Sequence, residues 1–188
     1  MSVDLQTLYN IAKEHKDNHK SCGGEPYKSY ERLKEIVESA GAAAGRPTDL
    51  TILEVGTAVG FTTFILQNKN NFVDTIEFHQ DHIDMAKENI SAWGGDTSKI
   101  NFFTGDALEI LPYINPDTKY DLIFFDGYGA KLNFYNDFKR LLKVGGLLIT
   151  ANQHLKSTER EYFQELQDEK TWEFIEEFAD TKVYKKIS

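Results

Sequence analysis

The stretch Thr51-Ile52-Leu53-Glu54-Val55-Gly56-Thr57-Ala58-Val59-Gly60-Phe61-Thr62-Thr63 decides the fold. Thr51–Val55 is a run of strand length, apolar except at its first residue and Glu54. Gly56 then permits a tight turn, and Gly60 lets a helix start close to the strand or to a ligand. The stretch is not G-x-G-x-x-G. Ala58 occupies the middle glycine position and the spacing differs, which weakens the claim of a dinucleotide pyrophosphate on this turn. Glu54 adds to that, because a carboxylate repels phosphate and suits a ligand carrying an ammonium or a sulfonium.

Working outward, strands are predicted at Phe72–Phe78, Ile100–Phe103, Asp121–Phe125, Leu147–Thr150, Trp172–Phe178 and Lys182–Ile187. Helical patterns lie between them. Ile83, Ala86, Ile90 and Trp93 share a face after Asp81, and Phe134, Phe138, Leu141 and Leu142 share another. Thr158-Glu159-Arg160-Glu161 reads as a capping box before Tyr162, Phe163 and Leu166. Strands alternating with helices imply βαβ units with right-handed crossovers and a parallel sheet covered on both faces. The last two strands are joined by a few residues around Asp180 and predict a hairpin, which puts one antiparallel strand into the sheet. Upstream, Leu5, Leu8, Ile11 and Ala12 recur at helical spacing before a break at Cys22-Gly23-Gly24. A second helix starts near Pro26, carries Tyr30, Leu33, Val37, Ala40 and Ala44 on one face, and ends at Gly45-Arg46-Pro47. The expectation is a single doubly wound α/β domain, with N-terminal helices over 1–46 and a cofactor-binding core over 47–188.

Composition sets the limits. At 188 residues the chain can bury a full core without staples, and 40% apolar with 27% charged residues excludes disorder. A single cysteine excludes an internal disulfide framework and a thiolate-rich zinc site. Twenty-one basic against thirty acidic residues give a net charge of −9, which disfavours broad electrostatic capture of nucleic acid or anionic membrane. No apolar run reaches membrane-spanning or signal-peptide length, so a cytoplasmic location without membrane attachment is expected.

In a doubly wound sheet, ligands bind at the carboxyl ends of the strands. Here four consecutive strands turn acidic at that end: Glu54, Glu77, Asp106 and Asp126. Solvated faces do not usually produce that register. It describes a negative cleft along one sheet edge, and Glu77, about 20 residues past the glycine turn, is placed to accept from ribose hydroxyls.

Together with Thr75-Ile76-Glu77, Gly105-Asp106-Ala107, Tyr120–Asp126 and Leu142-Lys143-Val144-Gly145-Gly146-Leu147-Leu148, the opening stretch resembles the class I S-adenosylmethionine-dependent methyltransferases. Within that class the resemblance is to the catechol and caffeoyl-CoA type of O-methyltransferase, and it covers roughly residues 30–188. It implies a Rossmann-like three-layer sandwich with a seven-stranded sheet of order 3-2-1-4-5-7-6. It implies that Glu54, Gly56, Thr57 and Gly60 line the methionine moiety of S-adenosyl-L-methionine and that Thr62 touches its carboxylate. Glu77 would hold the ribose hydroxyls with Phe78 beside the adenine, Asp106 and Ala107 would lie at the adenine edge, and Asp126 near the reacting sulfonium.

Two departures matter. Metal-dependent members hold a divalent cation with the Asp that ends strand four and an Asp-Asn pair that ends strand five. Here strand five ends Thr150-Ala151-Asn152, leaving Asp126 and Asn152, with His154 as an alternative, and one hard ligand fewer for Mg²⁺. A Lys is also expected shortly after the strand-four Asp. The sequence Asp126-Gly127-Tyr128-Gly129-Ala130-Lys131 delays it by two residues, so Lys131 is a catalytic candidate on a reshaped loop, or a surface lysine. Asp126, Lys131, His154 and Tyr128 are the candidate bases.

The function expected first is methyl transfer to an oxygen of a small-molecule acceptor. A tRNA-modifying methyltransferase of the same fold is the second reading, resting on Lys131, Lys139, Arg140, Lys143, Lys156 and Arg160 and disfavoured by the net charge. A nicotinamide-dependent oxidoreductase is the third, and a binding module without turnover the fourth. The N-terminal helices could form a lid, a homodimer contact or plain packing on the sheet, and Phe134, Tyr135, Phe138, Tyr162 and Phe163 fall at core spacing.

Overall fold

The computed structural model describes residues 4–18, 27–43, 49–68, 70–127, 131–151 and 164–188. The elements in chain order are α1 (Leu5–Asn18), α2 (Tyr27–Ala43), β1 (Thr51–Val55), α3 (Phe61–Gln67), β2 (Phe72–Glu77), α4 (Gln80–Ala92) and β3 (Ile100–Thr104). They continue with the short α5 (Ala107–Ile110), β4 (Tyr120–Phe125), α6 (Tyr135–Leu141), β5 (Leu142–Thr150), β6 (Trp172–Phe178) and β7 (Thr181–Lys186). The seven strands form one sheet of order β3-β2-β1-β4-β5-β7-β6. Pairings are parallel from β3 through β5, and β7 runs antiparallel to both of its neighbours.

Side-chain alternation splits the core into two layers. Ile52, Leu122, Phe124, Ile149 and Val183 point to one face, where Leu8, Leu33, Val37, Ile65, Ala86 and Ile90 cover them. Leu53, Val55, Ile123, Phe125, Leu148 and Tyr184 point to the other, beneath Leu111, Phe134, Phe138 and Leu141. Both neighbours of each central residue are buried, which is why Leu122–Phe125 reads as an unbroken apolar run. The N-terminal helices therefore complete the first layer as packing elements. Phe134, Tyr135 and Phe138 are core, with the Phe125 ring 5.1 Å from Phe134 and 5.5 Å from Phe138. Tyr162 and Phe163, the Thr158–Glu161 cap, Ala44, Pro26 and both N-terminal glycine breaks lie outside the described residues.

Six strand boundaries differ from the sequence expectation; at β3, at β4 and at the end of β7 the difference is a single residue. β5 begins at Leu142, five residues before the expected Leu147, and Leu142 belongs to the strand and not to the α6 face. Tyr120 pairs with Leu142 and Leu122 with Leu147, so residues 143–146 form an excursion opposite the single residue Asp121. Lys143 Nζ donates to Asp121 Oδ1 at 2.8 Å, and Gly146 packs so closely on the Asp121 carbonyl that a Cβ would sit 2.9 Å from it. The two glycines suggest a turn, but the tertiary contact makes them a strand irregularity. β2 ends at Glu77, leaving Phe78 outside it and 65% exposed. The hairpin connection is two residues, Ala179-Asp180, with Ala179 at φ +47°, and β7 starts at Thr181.

Candidate functional site

β1 carries Glu54 into the sheet one residue before its end, where register pairs it with Thr75 of β2 and Phe124 of β4. The carboxylate is fully buried. Thr63 Oγ1 donates to Glu54 Oε2 at 2.5 Å, and Thr75 Oγ1 donates to the same oxygen at 2.6 Å. Thr57 Oγ1 lies 2.5 Å from Thr75 Oγ1, and since Thr75 spends its proton on Glu54, Thr57 is the donor in that pair. Two hydroxyls thus converge on Oε2 while Oε1 is buried with no hydrogen-bond partner among the described residues. Burial pushes the Glu54 carboxyl up to about 8, outweighing the two hydroxyl bonds, and the negative charges of Asp126 and Glu77 push the same way.

The turn that follows is shaped by its neighbours. Gly56 has φ +103°, and a Cβ there would lie 2.8 Å from the Asp126 carbonyl oxygen, so the turn must leave β1 against the end of β4 without a side chain. Ala58 adopts φ +45°, keeping the left-handed backbone a middle glycine would give, and its N–H donates to Glu77 Oε2 at 3.0 Å. Gly60 is N-terminal to α3, and a Cβ there would collide with Ala86 and Ile90 of α4. Its smallness serves helix packing. Thr62 is buried in the first turn of α3.

Glu77 closes β2. Its Oε1 accepts from His79 N at 3.1 Å and from His82 Nδ1 at 3.3 Å. Gly105 N donates to the Glu77 carbonyl at 2.9 Å, which sets Asp106 beside it. Asp106 caps α5 by accepting from Leu108 N at 2.9 Å, and Ala107 behind it is buried. Asp126 follows β4, half-buried, with its N–H on the Val55 carbonyl at 3.0 Å. The structure thus brings Glu77 and Asp126 each within electrostatic reach of Glu54 and places Asp106 on the same edge through Gly105.

Ala151 N donates to the Phe125 carbonyl at 2.9 Å, so the residue after β5 lies alongside Asp126 and brings a buried methyl group where a hard oxygen ligand would be needed. Among the described residues no group of three metal-ligating side chains gathers. Asn152, His154, Tyr128, Lys156 and Arg160 lie outside the described residues, as does the side chain of Lys131, whose backbone opens a 3-10 turn to Phe134. No helix of the described residues is long and apolar enough to cross a membrane. A surface hollow of about 750 Å³ lies beside Trp172, Phe174 and Tyr184. Its lining contains none of the acidic-edge residues, so size alone does not make it the site.

Sequence reasoning missed Thr63, Thr75 and His82. The signal for Thr75 was present: a lone hydroxyl one strand over from Glu54 in a parallel register.

A mostly parallel sheet of order 3-2-1-4-5-7-6, with β7 antiparallel, an acidic carboxyl edge and a glycine turn after β1, defines the class I S-adenosylmethionine-dependent methyltransferase fold. The chain belongs to the methyltransferase domain family, whose sequence model matches residues 48–186. Solved structures agree on the fold. An O-methyltransferase of tomaymycin synthesis from Streptomyces achromogenes, solved with S-adenosylmethionine, superposes with a TM-score of 0.80 at 15% identity, covering 100% of this chain and 92% of its own. A Staphylococcus aureus protein assigned as a caffeoyl-CoA O-methyltransferase gives 0.77 at 19% identity, covering 99% and 93%. An O-methyltransferase from Bacillus cereus, solved with S-adenosylhomocysteine, gives 0.75 at 20% identity, covering 98% and 90%. Methyltransferase membership removes the ground for the nicotinamide reading.

Proposed function

We propose that the protein transfers a methyl group from S-adenosyl-L-methionine to an oxygen of a small-molecule acceptor. The observation that carries the cofactor is Glu54: a buried carboxyl group with one oxygen that lacks a partner among the described residues, beside two further carboxylates. A low-dielectric pocket of that composition favours a cationic ligand over a phosphate. The O-methyltransferases among the structural neighbours support the oxygen acceptor.

The bound cofactor supplies an electrophilic methyl on a sulfonium whose positive charge disperses as the bond to sulfur breaks. The chain's part is alignment and exclusion of water. Glu54, which keeps its proton up to about pH 8 in the free chain, would release it to solvent when a cofactor ammonium group arrives and would then hold negative charge there, fixed by Thr63 and Thr75, and Thr57 and Thr62 would face the methionine from the turn and the helix. Glu77 accepts from the ribose, Phe78 covers the adenine and Asp106 with Ala107 borders its edge. Asp126, at the end of β4, positions the acceptor, and Lys131 is the cation in sequence best placed to steady an acceptor oxyanion.

Titration calorimetry with S-adenosylmethionine and, separately, NAD tests this reading. Micromolar binding of the first and none of the second is expected. Transfer of labelled methyl to catechol-like hydroxyl acceptors, but not to tRNA, would then support the acceptor class; binding of neither nucleotide would overturn the cofactor assignment.

A further inference from the structure

His82 lies in the first turn of α4, four residues before Ala86 and eight before Ile90 on the buried face of the helix, and is 8% exposed. Burying an imidazole costs free energy unless its polar atoms are engaged. Its Nδ1 is 3.3 Å from Glu77 Oε1, and because an ionised carboxylate only accepts, Nδ1 carries the proton. The same oxygen takes the His79 N–H at 3.1 Å, while Oε2 takes only the Ala58 N–H at 3.0 Å among the described donors. A carboxylate offers about four lone-pair positions. Oε1 is filled by two protein donors, and Oε2 keeps one position open.

We propose that His82 is a positioning residue that saturates one oxygen of Glu77, so that this carboxylate takes a single ribose hydroxyl and not the pair. The inference rests on the cofactor reading above and deepens it. The β1 turn grips Glu77 through Ala58 and α4 grips it through His79 and His82, so the carboxylate plane is set from both sides before any ligand arrives. One hydroxyl of the ribose then meets a charged acceptor while the other meets none on this residue.

The test is calorimetry of the full chain with S-adenosylhomocysteine and its 2′-deoxy and 3′-deoxy analogues. In the wild type one analogue should bind roughly tenfold more weakly and the other within about twofold, the size of one hydrogen bond to a charged group. His82→Asn, which keeps an amide donor near the Nδ1 position, should preserve the one-sided profile. His82→Leu frees Oε1 and should make both analogues roughly tenfold weaker than the parent nucleoside. Equal penalties in the wild type, or a one-sided profile that survives His82→Leu, overturn the proposal, and the wild-type arm stands even if the leucine variant does not fold. Failure of the wild type to bind S-adenosylhomocysteine at all sinks the cofactor reading, and this inference with it.

Discussion

Glu54 and Glu77 are both glutamates at the carboxyl ends of neighbouring parallel strands, and they are different chemical objects. Register puts Glu54 opposite Thr75, two residues deeper than Glu77. At that depth the donors are side-chain hydroxyls, both on one oxygen, and burial lifts the carboxyl to about 8. At the rim, Glu77 meets backbone N–H groups of the β1 turn and the start of α4, spread over both of its oxygens. Two residues of depth, under ~7 Å of strand, separate a carboxyl group that burial keeps protonated from a carboxylate already organised by backbone donors.

Breaking the frame that sets those depths should cost most. Gly56→Ala forces a Cβ to 2.8 Å from the Asp126 carbonyl at φ +103° and should destabilise by about 3 kcal/mol or more. Gly94→Ala, at φ +84° with open space around it, should cost only about 1 kcal/mol. Thermal melts that show equal losses would remove the role given to the contact between the turn and β4.

Next, the two glutamates can be separated directly. Glu77→Gln turns an amide toward N–H donors, and should lose about 2 kcal/mol of stability together with 10- to 100-fold, roughly, in S-adenosylhomocysteine affinity. Glu54→Gln keeps an acceptor for Thr63 and Thr75 and should lower affinity about tenfold with little loss of stability. If denaturation and calorimetry rank the two variants alike, depth is not what distinguishes them.

A pH series sharpens the same contrast. The folded Glu54 carboxyl lies near 8 against an ordinary value of 4.5. Below 4.5 both states are protonated and the contribution to stability is complete. Between 4.5 and 8 the folded state holds a proton that the unfolded state has released, so stability declines as pH rises, and above 8 the contribution is gone. Urea unfolding at several pH values should show that decline in the wild type and a flatter profile in Glu54→Gln; parallel profiles would contradict it.

The smallest effect belongs to Ala58. Glycine there relieves a left-handed cost of about 1 kcal/mol but loosens the unfolded chain by nearly as much, so Ala58→Gly should shift stability by less than about 1 kcal/mol. Ala58→Val should cost about 2 kcal/mol, measurable as a fall of a few degrees in Tm.

The ladder of short apolar runs and amphipathic helices made the doubly wound fold legible in the sequence, because the periods of 2 and 3.6 residues are local. The four acidic strand ends were legible for the same reason. Ala58 shows where local reading stops: its side chain argued against a glycine loop, yet the backbone it adopts is the glycine one, held by a bond to Glu77 that lies 19 residues away. Gly60 was read as letting a helix start close to the strand or to a ligand, and it also admits α4, a contact between elements that no window of sequence contains. β5 was read short because Gly145-Gly146 interrupts its apolar run, and only across the sheet does Gly146 find its neighbour, the Asp121 carbonyl. The sequence by itself determined the order of elements, the two-layer core and the acidic character of one sheet edge, since these follow from side-chain alternation and strand termini. Only the tertiary structure decided which carboxylate is buried, which is braced and by whose donors, because those depend on register between strands and on desolvation, neither of which is a property of a segment alone.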